Sequence, residues 1–565
     1  MKCALIQLNP KVGDIRENAR RILAALEGAA AKGARLAVLP ELSLIGYPPR
    51  DLLLYPAFVR EAEARAEELA RKAGSLGIAA VVGTAGFNHG KGRPLRNLAL
   101  VMEGGSIRHV YAKRLLPTYD VFDEARYFEA GEGPLTFALE GKRIAVTVCE
   151  DIWNDEAYWP SPLYRLDPLE GHPPFDVLVN LSASPFSVGK QNLREDMLAA
   201  LAAKRRAFTL YVNQSGANDE LIFDGRSSCF SPDGRLICRA RGFAEDVALV
   251  DLDSPVRAVA EDDLSPESET WRALGLGVSD YCAKNGIGSA VLGLSGGIDS
   301  ALTAAIAAAS LGPENVHGLV MPSPYSSAHS VRDAEDLARN LRLGRLDRIP
   351  IAGAMGSFGE MLGPVFGDLP PDAAEENIQA RIRGTLLMGV ANKFGRMLLT
   401  TGNKSEISVG YCTIYGDMCG ALAVIGDLYK TEVFRLARWL NRDGEVIPEN
   451  TILKPPSAEL RPGQTDQDSL PPYDLLDKIL IELLELRRGP EELAASGLFD
   501  PDTVFRVARL VNAAEFKRRQ AAPVLKITGQ AFGVGWRMPI AARSVFFPCR
   551  EALPADGKAR ANSGA

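Results

Sequence analysis

The sequence predicts an α/β protein built from two domains, and three observations lead to that fold class. The chain has 565 residues, more than one hydrophobic core usually holds. Short apolar runs of strand length alternate with helical segments, which is the pattern of a layered α/β domain. In the second half, the apolar run 290–294 passes through a turn rich in Gly and Ser directly into a helix.

The first half, residues 1–260, contains several strand candidates separated by helices. The first strand lies within the opening ten residues, and Pro40 ends the second because proline cannot donate to a sheet ladder. The stretch 61–72 is predicted to be a helix with a solvated, charged face. Further strand candidates are 35–39, 78–83, 144–148 and 177–180.

A polar, acidic segment at 261–270 is predicted to link this domain to a second one at 271–565. The second domain again alternates helices and strands, so we expect another layered α/β unit. Its predicted elements are a helix at 271–285, a strand at 290–294, a helix at 301–306 and strands at 316–321 and 397–400.

Composition and charge argue against several classes of partner. The net charge of −7 is spread without an extended basic block, which argues against nucleic acid or an anionic membrane as the main partner. No stretch approaches the roughly 18 apolar residues of a membrane span, and the N-terminus turns polar too early for a signal peptide. The eight cysteines form no CxxC pair and there are five histidines, so we expect a cytoplasmic protein without a zinc site.

The turn after the strand at 290–294 has the chemistry of a phosphate-binding loop. Two adjacent glycines let backbone N–H groups and the following helix N-terminus face an anion. Ser295 and Ser300 add hydroxyl donors, and Asp299 can hold Mg²⁺ against the phosphates. The turn lacks the Gly-Lys-Ser/Thr ending of a Walker loop and resembles the pyrophosphate loop of the N-type ATP-pyrophosphatases. The resemblance implies that ATP adenylates the carboxylate of a substrate. The residues that it implies contact ATP are Gly293, Leu294, Ser295, Gly296, Gly297, Ile298, Asp299 and Ser300.

A second chemistry is predicted in the first half. Glu41, Lys113 and Cys149 each lie at or near the end of a strand candidate. Together they can hydrolyse an amide: Glu41 takes the thiol proton, and Lys113 supports the thiolate and the oxyanion. A Cys–His hydrolase is the competing interpretation, with His89, His109 and His172 available, but none of these lies in a motif that indicates a base.

The surroundings of these three residues resemble the nitrilase/amidase superfamily. The matching contexts are 40–42, 113–117 and 149–153, and Glu124 matches a carboxylate that often supports the triad. The resemblance implies an α/β/β/α sandwich for the first domain, and the ATP loop implies a doubly wound, Rossmann-like parallel sheet for the second. Ammonia released by the first site can then be consumed at an activated carboxylate in the second.

Motifs of the second half narrow the acceptor. The segments 321–327, 376–381, 401–406, 415–417 and 516–520, with both domains in this order, closely resemble the glutamine-dependent NAD(+) synthetase family over nearly the whole chain. The resemblance implies that ATP activates the nicotinate carboxylate of deamido-NAD as an adenylate. Ammonia from glutamine then displaces AMP, so the products are NAD, AMP, pyrophosphate and glutamate.

The same resemblance implies roles for further residues. It implies that Thr401 contacts ATP and that Asp299 and Glu406 hold Mg²⁺. It also implies that the protein assembles as a homo-oligomer. Deamido-NAD is expected to contact Asn377, Glu406 and Lys517, and glutamine to contact Tyr119, Ser184 and Lys190. Structural interpretations compete at some of these positions: Asn377 as a helix cap, 401–403 as a turn and 517–519 as a solvated basic run.

Three alternative functions remain open from the sequence. The nearest is another glutamine-fed adenylating ligase that acts on a different carboxylate. A tRNA-modifying enzyme with the same ATP loop would need a basic RNA surface. A regulatory nucleotide-binding protein would carry a degenerate amidase domain.

Overall fold

A computed structural model describes residues 1–156, 158–159 and 161–541. The chain divides into two units, Met1–Leu276 and Gly277–Ala565, here called the N-terminal and C-terminal units. Cys549, one of the eight cysteines, and the end of the predicted second domain lie outside the described residues.

The N-terminal unit alternates strands and helices in its first half and is mostly β in its second. Its elements are β1 Lys2–Gln7, α1 Ile15–Ala31, β2 Leu36–Val38, α2 Pro56–Ser75, β3 Ala79–Phe87, β4 Leu95–Glu103, β5 Ser106–Ala112, β6 Leu135–Leu139, β7 Lys142–Val148, β8 Val177–Ser182, α3 Lys190–Arg205, β9 Phe208–Asn213, β10 Ser215–Asn218, β11 Leu221–Asp224, β12 Ser228–Phe230, β13 Leu236–Arg239, β14 Asp246–Asp251 and β15 Ala258–Val259. Short 3₁₀ turns lie at Arg50–Leu54, Glu124–Arg126 and Cys149–Ile152.

Two sheets form the centre of this unit. One has the order β14-β1-β2-β3-β4-β5 and the other β15-β13-β12-β9-β8-β7-β6. Alternate residues of both sheets, such as Leu5 and Val146, pack in one core between them. The outer face of the first sheet is covered by α1 and α2, and that of the second by α3. The α/β/β/α layering implied by the superfamily resemblance is thus confirmed.

Helix α4, Pro266–Lys284, begins within the predicted linker rather than at residue 271. Its early start has a local cause, because Pro266 is a proline suited to the first turn of a helix and Glu269 is buried. The Glu269 carboxylate accepts hydrogen bonds from Arg226 Nη1 at 2.5 Å and from the backbone N–H of Gly189 at 2.9 Å. Arg226 also donates to Asp262 at 2.7 Å, so this acidic segment packs against the N-terminal unit.

The C-terminal unit holds most of the helices. After α4, its elements are β16 Ala290–Gly293, α5 Ile298–Leu311, β17 Val316–Val320, α6 Ala328–Asn340, β18 Arg345–Arg348, α7 Ala352–Phe366, α8 Ala373–Phe394, β19 Met397–Thr400, α9 Lys404–Val409, β20 Leu422–Ala423, α10 Lys430–Leu440, α11 Glu449–Leu453, α12 Tyr473–Leu480, α13 Pro490–Ala495, α14 Pro501–Ala513 and α15 Glu515–Arg518. Single turns of other helical types lie at Pro313–Asn315, Asn441–Asp443, Asp466–Asp468 and Ile481–Glu485.

The sheet of this unit has the order β18-β17-β16-β19-β20, with parallel pairing throughout. The chain moves outward from β16 to β17 and β18, then returns to β19 on the other side. Such a reversal defines the switch point of a doubly wound sheet, where ligands bind at the carboxyl ends of the strands. The loops after β16 and β19 meet at this point, and the predicted doubly wound fold is confirmed.

The short parallel strands agree closely with their predictions, and β19 has the predicted bounds. Helix α5 starts at Ile298, three residues earlier than expected, because Gly297 already serves as its N-cap. No helix among the described residues is long and apolar enough to cross a membrane.

Candidate active sites

The candidate nucleophile lies in a sharp turn at the end of a strand. Cys149 directly follows β7, opens a 3₁₀ turn and has a φ of +45°, in the left-handed region. The side chain is buried. A non-glycine residue in this conformation carries backbone strain, which is characteristic of functional turns.

Glu41 and Lys113 are brought into direct contact. Lys113 Nζ donates to Glu41 Oε1 at 2.7 Å and to Glu124 Oε1 at 2.8 Å, with all three side chains buried. Asn97 Nδ2 donates to Glu41 at 2.7 Å, and Tyr47 OH donates to Glu124 at 3.0 Å. One ammonium therefore holds two carboxylates, and each oxygen that it contacts also accepts a hydrogen bond from a neutral donor.

The electrostatics of this site are set by burial and by the charges of its own members. Burial raises the pKa of the Cys149 thiol well above its ordinary value, and the charge of Glu41 adds to that effect. Burial acts to lower the pKa of Lys113, but the carboxylates of Glu124 and Glu41 outweigh it and raise that pKa well above its usual range. Burial raises the pKa of Glu124 to about 7. The resting thiol is thus protonated and needs a base, whereas Lys113 stays charged.

The residues expected to contact glutamine fall into two groups. Lys190 Nζ donates to Ser184 Oγ at 2.8 Å, so these two side chains are adjacent. Tyr119 OH donates to Glu150 Oε1 at 2.9 Å, and Glu150 directly follows Cys149. Tyr119 is half exposed, whereas the other three side chains are largely buried. A carboxylate and an ammonium thus lie within electrostatic range of the thiol.

The histidines considered for a Cys–His hydrolase lie in other surroundings. The ring of His109 stacks on Phe137, and that of His172 packs edge-on against Phe175. Burial lowers the pKa of His172 to about 4. The contacts therefore favour a carboxylate rather than an imidazole as the base for Cys149.

The candidate phosphate loop is held in shape by its own serines. Ser300 Oγ donates to the Gly297 carbonyl at 3.0 Å, and Gly297 N donates to Ser295 Oγ at 3.1 Å. Gly296 has a φ of +77°, and a Cβ on it would lie 2.2 Å from the Ser330 carbonyl oxygen. The glycine is therefore required by both backbone conformation and space.

Two acidic side chains meet beside this loop. Asp299 lies in the first turn of α5 and Glu406 in the first turn of α9. Lys430 Nζ donates to Asp299 Oδ2 at 2.5 Å and to Glu406 Oε1 at 3.1 Å, while Asn403 Nδ2 donates to Asp299 Oδ1 at 2.9 Å. Burial raises the pKa of Glu406 to about 8, while Asp299 and Glu406 together raise the pKa of Lys430 against its burial.

This donor set suits magnesium bound together with a nucleotide. Among the described residues, no group of three or more His, Cys, Asp and Glu side chains forms a complete metal site. Mg²⁺ usually takes one or two carboxylates and completes its shell with water and substrate phosphates. Asp299 and Glu406 supply two carboxylates next to a phosphate-type loop, so the residues present fit that ion.

The other residues expected at the dinucleotide surround one loop. Asn377 Oδ1 accepts a hydrogen bond from Thr413 Oγ1 at 2.8 Å, and Lys517 Nζ donates to the carbonyls of Gly410 and Cys412 at 2.9 and 2.7 Å. Asn377 lies inside α8, whose N-cap is Asp372, so the helix-cap interpretation was wrong. The solvated-run interpretation of 517–519 fails at Arg518, which is buried. Thr401 directly follows β19 at the switch point.

Several side chains in these sites were missed by the sequence reasoning. Asn97 was detectable in principle, since a buried asparagine interrupts the apolar strand β4. Asp151 lies within the quoted motif after Cys149 but was given no role. Asn403 lies within the quoted 401–406 segment but was given no role. Lys430 had no local signal, because it lies 131 residues from Asp299 in the chain.

Comparisons with known proteins match both halves of the chain. The family model described as carbon-nitrogen hydrolase matches residues 2–261, and the one described as NAD synthase matches residues 270–521. The glutamine-dependent NAD(+) synthetase of a Synechocystis species is 50% identical over 552 residues, covering 95% of this chain and 98% of that protein. The chain belongs to the glutamine-dependent NAD(+) synthetase family.

Other members of this family give the same result. The glutamine-dependent NAD(+) synthetase of Thermotoga maritima is 43% identical, with 96% of this chain and 99% of that protein covered. A structure of the Acinetobacter baumannii glutamine-dependent NAD+ synthetase in complex with ADP is 39% identical, with a TM-score of 0.74 and coverage of 95% and 98%. Because the similarity covers nearly the whole length of these proteins, the family match includes both halves of the chain.

Proposed function

We propose that this chain amidates deamido-NAD to NAD with ATP and with ammonia taken from glutamine. The observation that carries the proposal is the presence in one chain of two candidate sites of different chemistry. The N-terminal unit has a thiol beside a bonded Glu–Lys–Glu cluster, and the C-terminal unit has a phosphate-type loop beside two carboxylates. Family membership supplies the identity of the acceptor.

In the N-terminal unit, Glu41 accepts the thiol proton as Cys149 Sγ attacks the side-chain carboxamide carbon of glutamine. The proton passes to the leaving nitrogen, the C–N bond breaks, and ammonia departs from a thioester. Water activated by Glu41 then cleaves the thioester to give glutamate and restore the thiol. Lys113 stabilises the negative charge that develops in both steps, and Glu124 keeps its ammonium in place.

In the C-terminal unit, an oxygen of the nicotinate carboxylate attacks the α-phosphorus of ATP and pyrophosphate leaves. Backbone N–H groups of the 295–300 loop and the N-terminus of α5 receive the phosphates. Asp299 and Glu406 would hold Mg²⁺, which neutralises phosphate charge when bound. Ammonia then attacks the acyl carbon of the adenylate, AMP leaves, and the amide of NAD remains. We place deamido-NAD against Asn377, Glu406 and Lys517, and ATP also against Thr401.

The division of labour predicts the behaviour of Cys149→Ala. Glutamine-driven NAD synthesis should fall by roughly 10³-fold or more, because no thioester can form. Synthesis from added ammonium salt should continue at the wild-type rate. Mass analysis of the products formed from glutamine or ammonia, ATP and deamido-NAD checks both results. Equal loss with both nitrogen sources would contradict the proposal.

Asp299→Ala should abolish synthesis from either nitrogen source, because the variant lacks a carboxylate for the metal and a partner for Lys430. Pyrophosphate release with ammonia as nitrogen donor measures this step. Asp502→Ala, at an exposed aspartate in the first turn of α14, serves as a matched control. Normal turnover of Asp299→Ala with ammonia would remove this residue from the ATP site.

The rival within the same chemistry is a ligase for another carboxylate. AMP formation measured across a panel of aromatic and aliphatic acids separates the two, and we expect deamido-NAD to be strongly preferred. Salt-sensitive binding of tRNA would instead favour the nucleic-acid alternative.

We also propose a cytoplasmic homo-oligomer. Its assembly is supported by α7, which exposes Phe358, Met361 and Val365, and sedimentation of the full chain tests it.

A further inference from the structure

Asp151 is a buried carboxylate that the mechanism above does not use. It lies two residues after Cys149 in the same 3₁₀ turn and is 1% exposed. A buried carboxylate is costly unless its oxygens are satisfied by hydrogen bonds. The partners of Asp151 therefore indicate what the residue does.

Four donors surround this carboxylate. Oδ1 accepts the backbone N–H groups of Arg114 and Leu115 at 3.0 and 2.9 Å. Oδ2 accepts the backbone N–H of Val148 at 3.0 Å and the hydroxyl of Tyr111 at 2.8 Å. Three of the four donors are main-chain groups, so the carboxylate fixes backbone position rather than side-chain position.

The positions of these donors along the chain are informative. Arg114 and Leu115 directly follow Lys113, and Val148 directly precedes Cys149. The Lys113 segment continues β5 of the six-stranded sheet, whereas Val148 ends β7 of the seven-stranded sheet. One side chain thus ties together two strand ends from different sheets, and each of these ends carries a reacting group.

We propose that Asp151 is a positioning residue for glutamine hydrolysis, which sets the distance between the Lys113 ammonium and the Cys149 thiol. The inference rests on the proposed glutaminase function. Hydrogen bonds from backbone N–H groups to an ionised carboxylate are short and strong, so they resist displacement of either strand end. Displacement by about 1 Å at a catalytic centre costs on the order of 10²-fold in rate.

The proposed positioning role requires that both side-chain oxygens of Asp151 accept hydrogen bonds. An asparagine at this position cannot supply two acceptor oxygens. An amide has one oxygen and one NH₂ group, so in Asp151→Asn the NH₂ must face either the Arg114 and Leu115 N–H groups or the Val148 N–H and Tyr111 hydroxyl. One strand end would then lose its acceptor at almost unchanged side-chain volume. The variant therefore tests the hydrogen bonds with little change in packing.

The test compares wild type with Asp151→Asn in the full chain. We expect kcat for glutamine hydrolysis to fall by roughly 10²-fold while KM for glutamine changes little, because the residues placed at glutamine are not moved. Alkylation of Cys149 by iodoacetamide should slow, with a changed pH profile. Ammonia-driven NAD synthesis should equal that of wild type. A purely structural role would lower the unfolding temperature without this split between kcat and KM.

Asp176→Asn is the matched control, since Asp176 is half exposed and accepts the backbone N–H of Arg143 at 2.8 Å near the other end of β7. It should leave kcat and alkylation unchanged. If Asp151→Asn does not fold, Tyr111→Phe decides, because it removes one of the four donors. A reduced kcat at constant KM in that variant supports the proposal.

Wild-type kcat and alkylation in a folded Asp151→Asn variant would overturn the inference, as would unchanged kcat in Tyr111→Phe if that variant has to decide. Absence of glutamine hydrolysis in the wild-type chain would instead overturn the proposed function. The two failures are therefore distinguishable in one set of assays.

Discussion

At the residue scale, Lys190 is a partly buried ammonium at a position proposed to contact glutamine. Burial lowers the pKa of Lys190 to about 8, and the neighbouring Arg194 adds to the effect. Its Nζ donates to Ser184 Oγ and to the Pro185 carbonyl, and it lies 5.5 Å from the centre of the Trp153 ring. Both hydrogen-bond partners are uncharged, so under the proposed function the α-carboxylate of glutamine would supply a close counter-charge.

This environment predicts a pH dependence. The ammonium is charged below its pKa and neutral above it, so kcat/KM for glutamine should fall as the pH rises through about 8. Lys190→Arg retains its charge in that range and should remove this decline. The measurement is kcat/KM for glutamine hydrolysis between roughly pH 6.5 and 9.5, a range that brackets the lowered Lys190 pKa of about 8. The same decline in the arginine variant would assign it to another group.

Sequence reasoning at this scale recovered residues that lie in local motifs. Glu41, Lys113 and Cys149 follow strands, where a reactive side chain stands out from its apolar neighbours, and the structure places Glu41 and Lys113 in contact. Lys430 could not be found in this way, because its partners Asp299 and Glu406 come from other helices. Contacts between distant segments depend on sheet order, which no local pattern records.

At the element scale, the turn between β16 and α5 is rigid because its own hydroxyls and a neighbouring helix fix it. The hydroxyl groups of Ser295 and Ser300 form a hydrogen bond of 3.1 Å with each other. Thr451 Oγ1 donates a hydrogen bond to the Gly296 carbonyl at 3.3 Å. Strand, turn and helix were all predictable here, since apolar run, glycines and helix formers follow one another. The start of α4 was not, because Glu269 is stabilised in its first turn by Arg226, a residue 43 positions away.

Gly296→Ala tests how far this turn depends on its shape. The added methyl would lie 2.2 Å from the Ser330 carbonyl at a φ of +77°, so the turn must open. We expect ATP affinity and ammonia-driven synthesis to fall by roughly 5- to 150-fold, which corresponds to strain of about 1–3 kcal/mol. Calorimetric titration with ATP measures the first effect.

The control is Gly286→Ala. This glycine has a similar φ of +71°, but a Cβ on it would meet no atom within 4 Å. It therefore separates the contact with Ser330 from the cost of the backbone conformation alone. Equal ATP affinity in wild type and Gly296→Ala would show that the turn does not need its glycine.

At the scale of the whole molecule, each unit has its own sheets and core, and their fold classes were predictable from alternation of strands and helices. What the alternation could not reveal is a buried ionic network in the N-terminal unit. Arg226 is 0% exposed and contacts Asp224, Asp262 and Glu269. Asp224 lies two residues before Arg226, whereas Asp262 and Glu269 lie in the polar, acidic segment predicted to link the two domains.

Arg226→Met should destabilise the N-terminal unit by about 3–5 kcal/mol, because it removes a cation from three buried carboxylates and leaves Glu269 without its arginine. Thermal unfolding followed by calorimetry measures the loss. Arg65→Met is the control: Arg65 pairs with Glu61 and Glu68 on an exposed helix face, and its removal should barely change the unfolding temperature. Similar unfolding temperatures for the two variants would contradict a stabilising role for the network.

The contact between Glu269 and the backbone of Gly189 has a practical meaning for anyone who wishes to express the N-terminal half alone. The carbon-nitrogen hydrolase match stops at residue 261, which invites truncation there. A fragment cut at that point would lack both Asp262 and Glu269, so Arg226 would lose two of its carboxylates and the residue before Lys190 would lose its acceptor. A fragment ending at Leu276 keeps them and is the better starting point for studying glutamine cleavage in isolation.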